Sequence, residues 1–339
     1  MQPSLAIKAR RVVPAGFFVF LSLVCFGCQT PAETPKSFEP VIVTAKVEKI
    51  PPGTGLDQQQ VVVEAAFVLS SSHPDFGGLS GLWISEDRRD LMAVSDRGHL
   101  WRAELIHDDN GQLLGVGQWT ISTIRQSDGR DWRRTSDAEA LSGSVDQELT
   151  IAYEGSHQLL RLPVTDLQAE PRRLPVPGGL GVPSNSGIET LATMEDGRLL
   201  AIAERVGAWG GVGLSAWLIG ENKIEDLVYV PASGFAPTGG DRLDDWLYVV
   251  ERRFSLLGGF QSKIKAIPTN QVQPGSHMEG RLLAAFQWGD LGENFEGLVA
   301  KKAPDGRTLL YLIADDNFSF LQETVLLQLS LPKASTPTN

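Results

Sequence analysis

Cysteine is almost missing from this chain. Cys25 and Cys28 are the only two in 339 residues, and both sit in or beside an apolar run near the N-terminus. The rest of the chain can form no internal disulfide and must be held by its core alone. Placed in a hydrophobic segment, Cys-x-x-Cys does not read as redox or zinc chemistry. Histidine is scarce too. His73, His99, His107, His157 and His277 do not pair at metal-ligand spacing, and His-Glu-x-x-His is absent. Gly78-Leu79-Ser80-Gly81 lacks the final glycine that a nucleophile elbow needs, which disfavours a serine esterase. There is no phosphate loop and no dinucleotide fingerprint. Long amphipathic stretches are lacking as well, so little helix is expected.

Positive charge is also in short supply, with 30 Lys and Arg against 41 Asp and Glu and a net charge of −11. An acidic protein has no basic footprint for nucleic acid or for an anionic membrane. The balance permits cations, cationic ligands, or anions bridged by a metal.

Residues 1–28 read as a targeting segment. Lys8, Arg10 and Arg11 precede an apolar run over residues 12–26, too short for a comfortable membrane span, and Gly27 precedes Cys28. The arrangement resembles a bacterial lipoprotein signal, with Cys28 as the lipidated residue. A periplasmic or outer-membrane-anchored protein is expected, touching the membrane only through that anchor; the alternative is ordinary cleavage or an uncleaved anchor. Residues 29–60, with five prolines and Gln58-Gln59-Gln60, read as a tether in which Val41-Ile42-Val43 can add a short strand. Residues 61–331 are the folded domain, and 332–339 a polar tail.

Within that domain one pattern recurs: a start, a turn, an apolar strand and an acidic end. The starts are Leu79-Ser80-Gly81-Leu82, Ala138-Glu139-Ala140-Leu141, Ile188-Glu189-Thr190-Leu191, Pro237-Thr238-Gly239-Gly240 and Phe295-Glu296-Gly297-Leu298. Their strands end at Asp96, Glu154, Glu204, Glu251 and Asp315. Asp196-Gly197 and Asp305-Gly306 fall where a tight hairpin is needed. Two further strand-like runs follow each acid, giving four strands per repeat. The chain therefore predicts an all-β propeller of about five four-stranded blades, with six possible and a two-domain β protein as the alternative. The last repeat is one strand short, and residues 61–68 are expected to supply it and close the ring.

Antiparallel pairing puts the start of the first strand and the end of the second on one face. Ser80, Glu139, Glu189 and Glu296 should thus meet Asp96, Glu154, Glu204, Glu251 and Asp315 at one mouth of the channel, with Thr238 and Gly239 breaking the ring. Two unit charges about 6 Å apart repel by roughly 3 kcal/mol at an effective dielectric near 20. Three outcomes are open: an ion-pair network using Arg97, Arg205 and Arg252, a bound metal, most plausibly calcium, or a mixed acid–base centre. Arg253 and Lys263 are close in sequence. The Arg125–Asp137 loop holds four arginines and Trp132, and overhangs the same face.

The segments Phe76-Gly77-Gly78-Leu79-Ser80-Gly81-Leu82, Ser95-Asp96-Arg97-Gly98, Asp137-Ala138-Glu139-Ala140-Leu141, Glu251-Arg252-Arg253-Phe254 and Asp315-Asp316-Asn317-Phe318-Ser319 resemble the bacterial phytase-like family, described as having esterase-like activity. So does Asn294-Phe295-Glu296-Gly297-Leu298. The resemblance covers nearly the whole domain and implies an exported propeller related to calcium-dependent propeller phosphatases. On this reading the protein is a monomer that hydrolyses a small anionic or phosphorylated substrate. Glu139, Glu189 and Glu296, with Arg252, carry the chemistry. Asp96, Glu204 and Asp315 complete the metal site, and Arg97, Arg205, Arg253 and Lys263 bind substrate. A non-catalytic ligand- or protein-binding propeller is the second reading and a carboxylic esterase the third.

Overall fold

Asp196-Gly197 and Asp305-Gly306 do form tight turns. Gly197 and Gly306 have φ of +82° and +86°, and their amides donate to the carbonyls of Met194 and Ala303. Such φ values suit glycine, which has no Cβ to clash. The computed structural model describes residues 39–47, 60–123, 137–144, 147–167, 169–178, 187–208, 211–287 and 291–332. The segment read as a targeting signal with Cys28, most of the segment read as a tether, the arginine-rich loop short of Asp137, and residues 333–339 lie outside these. Among the described residues the chain forms 23 strands, and its only helix is one 3-10 turn, Thr269–Gln271.

Three strands come first: β1 (Glu39–Val41), β2 (Thr44–Val47) and β3 (Val62–Ser70). Blade 1 is β4 (Leu79–Ile84), β5 (Asp90–Ser95), β6 (His99–His107) and β7 (Leu113–Thr123), with β1 added antiparallel to β7. Blade 2 is β8 (Ala138–Gly143), β9 (Glu148–Tyr153), β10 (Gln158–Pro163) and β11 (Arg172–Leu174). Blade 3 is β12 (Ile188–Thr193), β13 (Leu199–Gly207), β14 (Leu214–Ile219) and β15 (Ile224–Val230). Blade 4 is β16 (Ala236–Leu243), β17 (Trp246–Ser255), β18 (Gly259–Pro268) and, after β19 (His277–Glu279), β20 (Arg281–Phe286). The short β19 leaves blade 4 to pair in parallel with β15 of blade 3. Blade 5 is β21 (Phe295–Lys302), β22 (Thr308–Ala314) and β23 (Thr324–Leu331), then β3 and β2. In it β3 runs antiparallel to β23, from Thr324 opposite Leu69 to Ser330 opposite Val62. Residues 39–47, inside the segment read as a tether, thus form two strands that flank Ile42 and Val43.

The inner strands β4, β8, β12, β16 and β21 touch in succession, and β21 meets β4 again. The five sheets therefore stand around one axis as a five-bladed β-propeller. Its core is divided among the blade interfaces. Leu199 and Ala201 face blade 2, whereas Leu200 and Ile202 face blade 4. Leu309, Tyr311 and Ile313 likewise face blade 1, with Leu310 and Leu312 facing blade 4. Strand side chains alternate between the two sheet faces, and here both faces are buried. That is why the second strand of each blade reads as an unbroken apolar run.

Candidate functional site

Every inner strand loses register at the same level. The shifts fall between Leu79 and Leu82, Ala138 and Ala140, Ile188 and Thr190, Pro237 and Gly239, and Phe295 and Gly297. The residues passed over are Ser80 with Gly81, Glu139, Glu189, Thr238 and Glu296. A β-bulge leaves its extra residue unpaired and re-aims the side chain. A second contact repeats beside it. The amides of Asp96, Glu154, Glu204 and Asp315 donate to the carbonyls of Gly78, Asp137, Gly187 and Asn294, over 2.8–3.3 Å. Each donor directly follows the last residue of its second strand that pairs with the inner strand, and each acceptor lies two residues before the bulge residue. The acid at a strand end is thereby clipped beside the bulge.

The result is a dense group of carboxylates. One oxygen each from Asp137, Glu139 and Glu154 lies within 4.8 Å of the others, a set that could hold a metal ion. Asp137 Oδ1 is buried and has no hydrogen-bond partner among the described residues. Burial, then Asp96, Glu154 and Glu296, push the Asp137 carboxyl up to about 7. Burial and Glu189 hold Glu139 well above the usual carboxylate range. Glu189 is displaced the same way by burial and then Glu204 and Glu296, with Arg252 opposing. Glu154 is raised by burial and Glu204. Asp315 is pushed up to about 9 by burial, Glu296 and Asp96. Burial also raises Asp96, against the Ser80 hydroxyl that donates to its Oδ1 over 2.9 Å.

Arg252 is the cation that reaches into this group. It lies 3.0 Å from Glu296 and 3.4 Å from Glu204, and donates to Asn294 Oδ1 over 2.6 Å. Asn294 Nδ2 in turn donates to Glu296 Oε1 over 3.0 Å. Burial works against the Arg252 charge, yet Glu296, Glu189 and Glu204 outweigh it and raise its affinity for the proton. Burial likewise raises Glu296, against the pull of Arg252. Arg205 closes on Glu204 from the solvent side, with Nε 2.8 Å from Oε2.

The expected site residues divide between this group and its surroundings. Glu139, Glu189, Glu296, Asp96, Glu204, Asp315 and Arg252 come together. Arg205, Arg252 and Arg253 join Glu204, Phe235 and Phe254 around a cleft of about 470 Å³ at its edge. Arg253 and Lys263 stack on the Phe235 ring, 4.7 and 4.3 Å from its centroid. Arg97 stands apart, over Phe318 and 3.6 Å from Asp75. Glu251 departs from the expected ring. It is fully buried, lies 2.9 Å from Lys265 Nζ, and accepts from the Tyr229 hydroxyl over 2.6 Å and from the Ala232 amide. These partners lie on blades 3 and 4 and the link between them.

Sequence reading missed Asp137 and Asn294 as site residues. A signal for both exists: each stands two residues before a bulge glutamate. It also missed Asp316, whose Oδ1 accepts from the amides of Gly78 and Phe318 over 2.9 and 3.0 Å and ties the start of blade 1 to blade 5.

No curated protein matches the chain in sequence. Among solved structures, an endo-arabinase from Bacteroides thetaiotaomicron is similar at 11% identity and a TM-score of 0.45, covering 74% of this chain and 92% of its own. An α-L-arabinofuranosidase from Clostridium thermocellum gives 11% and 0.41, over 71% and 83%. A luciferin-regenerating enzyme gives 11% and 0.41, over 75% and 92%. The sequence match is more telling. A family model described as the esterase-like activity of phytase matches residues 74–318, a span that takes in every carboxylate of the mouth, and the chain belongs to this phytase-like family.

Proposed function

We propose that the protein is a metal-assisted phosphoester hydrolase acting at the acidic mouth, with calcium as the ion. The observation that carries this reading is the Asp137, Glu139 and Glu154 cluster, with its buried Asp137 Oδ1 unpartnered among the described residues, next to a cleft lined by Arg205, Arg252 and Arg253. The donor set consists of carboxylate oxygens alone, which suits a hard cation such as calcium. When bound, such an ion polarises a phosphoryl oxygen and lowers the pKa of a water.

The chain's own residues supply the rest. Asp137, Glu139 and Glu154 hold the ion. Glu189, buried with no hydrogen bond to a described residue and held well above the usual carboxylate range by burial and the neighbouring acids, is placed to exchange a proton with substrate or water. Arg205 and Arg253 orient phosphate oxygens in the cleft through their planar forks. Asp96, Glu204 and Asp315, expected as ligands, already have partners in Ser80, the two arginines and Asn317. They fit better as the wall that fixes the site. Export, with lipidation at Cys28, belongs to the same proposal. The test is a phosphoester hydrolysis screen on the purified protein, with added calcium and with a chelator. Hydrolysis that the chelator abolishes and calcium restores supports the reading; none under either condition overturns it.

The Arg252 network favours a second reading, a propeller that binds a ligand without catalysis. Arg252 and Arg205 already neutralise Glu204 and Glu296, so that half of the mouth is stable without an ion. On this reading the arginines govern stability and the chelator changes nothing.

A further inference from the structure

Among the described residues, and with Ile42 between β1 and β2 set aside, the large apolar side chains standing almost fully in water are concentrated on one face. Leu256 and Leu257 form the tip of the β17–β18 hairpin and are 93% and 97% exposed. Phe320 and Leu321 in the β22–β23 connection are 94% and 79% exposed, and Val212 in the β13–β14 connection is largely exposed. All three connections follow the second strand of a blade, so they rise on the face where Glu204 and Asp315 end their strands. That is the face of the acidic mouth. The apolar residues showing at the opposite strand ends, such as Ile106 and Leu282, are only half-exposed.

The β17–β18 hairpin is built to project. Its pairing runs without a break from Trp246 opposite Pro268 to Ser255 opposite Gly259, four residues beyond Glu251. Phe254 and Phe260 pack 5.0 Å apart just below the tip. Exposed apolar groups collected beside a polar site mark a surface that meets an apolar partner. These belong to three successive blades. A bilayer accepts apolar tips so spread, because it needs no matching shape. Behind the tips stand cations at the level of the mouth: Arg205 with Glu204, and Arg253 and Lys263 on Phe235. Guanidinium forks there suit headgroup phosphates. The net charge of −11 offers no long-range attraction to anionic lipid, so apolar insertion must supply the affinity.

We propose that the mouth face docks on a lipid bilayer, with Leu256, Leu257, Phe320 and Leu321 entering the acyl boundary. Resting on the phosphoester reading above, the substrate is then the phosphoester of a lipid headgroup, presented to the mouth from the membrane.

The test is flotation of the purified protein in a Cys28→Ser background, so that no acyl anchor contributes, with phosphatidylcholine vesicles, alongside hydrolysis of a soluble aryl phosphoester; the wild type below is the protein with its tips intact in that background. The wild type is expected to float at both low and high salt. Leu256→Asp with Leu257→Asp, and separately Phe320→Asp with Leu321→Asp, should each lower vesicle binding by roughly tenfold or more. Both pairs should keep the wild-type melting temperature and soluble-ester rate. A wild type that stays unbound, or variants that float as well as it does, overturns the docking. A wild type that leaves the vesicles alone but dimerises through these tips on size exclusion overturns it too. Hydrolysis of the soluble ester without flotation sinks the docking alone. Flotation without hydrolysis of soluble or vesicular phosphoesters sinks the phosphoester reading and leaves the docking.

Discussion

Arg252 Nη1 lies 3.0 Å from Glu296 Oε1, and the same guanidinium reaches Glu204 on another blade at 3.4 Å. Residues from blades 3, 4 and 5 thus share one positive charge inside a group of acids. Removing it takes away the buried charge that Glu296, Glu189 and Glu204 face, and leaves Glu296 with only the Asn294 amide. Arg252→Ala is expected to cost about 3 kcal/mol at pH 8, and less at pH 5 where the acids take up protons. Urea denaturation at the two pH values checks both the size and the trend. A loss equal at both would show that packing, and not charge, is what Arg252 supplies.

The raised carboxyls fix the sign of the pH dependence. Asp137 is pushed up to about 7 and Asp315 to about 9 from an ordinary 3.8, so the folded protein holds protons that the unfolded chain has released. Stability without metal should therefore be full below about pH 4 for these groups and fall as pH rises through about 7 and then about 9. On the calcium proposal the ion competes with the Asp137 proton, so its stabilisation should grow as pH rises through about 7. Melting curves from pH 5 to 9, with calcium and with chelator, measure both slopes. A metal-free protein that gains stability over that range would contradict the assignment.

Glu189 is buried, and among the described residues no donor reaches it. Its conversion to an amide removes a proton-accepting group and also a source of repulsion. Glu189→Gln should abolish hydrolysis while raising the melting temperature at pH 8, a stabilisation on the order of 1 kcal/mol. Parallel loss of activity and of stability would mark Glu189 as structural.

Gly78 has φ of +59°, and a Cβ placed on it would lie 2.4 Å from the Phe318 ring. Gly78→Ala should cost about 2 kcal/mol through backbone strain. It should also displace the segment that carries Asp315 and Asp316, lowering calcium affinity. Calorimetric titration with calcium separates the two effects, since strain alone would leave the affinity unchanged.

β3 covers the outer edge of β23. A chain beginning at Ser70 would leave that edge unpaired and strip Phe67 and Leu69 from the core between blades 5 and 1. It should melt well below the full-length protein by circular dichroism. An unchanged melting temperature would mean that β3 contributes nothing.

The repeat was legible because it depends on local chemistry. Asp196-Gly197 and Asp305-Gly306 announce hairpins, and runs such as Leu199-Leu200-Ala201-Ile202 announce strands buried on both faces. Glu139, Glu189 and Glu296 could be assigned to one mouth because strand direction alone decides it. The remainder depends on partners far along the chain. Glu251 occupies the same place in its repeat as Glu204, yet Tyr229 and Lys265 draw it between blades. Nothing near Glu251 in sequence records them. The bulges were hidden for a similar reason, since a shift in register is a property of two strands. The pairing of β1 with β7 and of β2 with β3 depends on edges that exist only once blades 1 and 5 have formed.

That last blade is assembled from both ends of the domain, with β3 beside β23. During synthesis β3 emerges early and must wait for β23, so a long stretch of chain has to be ordered before this sheet can form. Such distant pairing makes folding slow and concerted. The mouth shares that timing, because its acids come from the first blade and the last alike. The wall of the mouth, with Asp96 from the first blade and Glu296 and Asp315 from the last, is complete only after the final strand is in place.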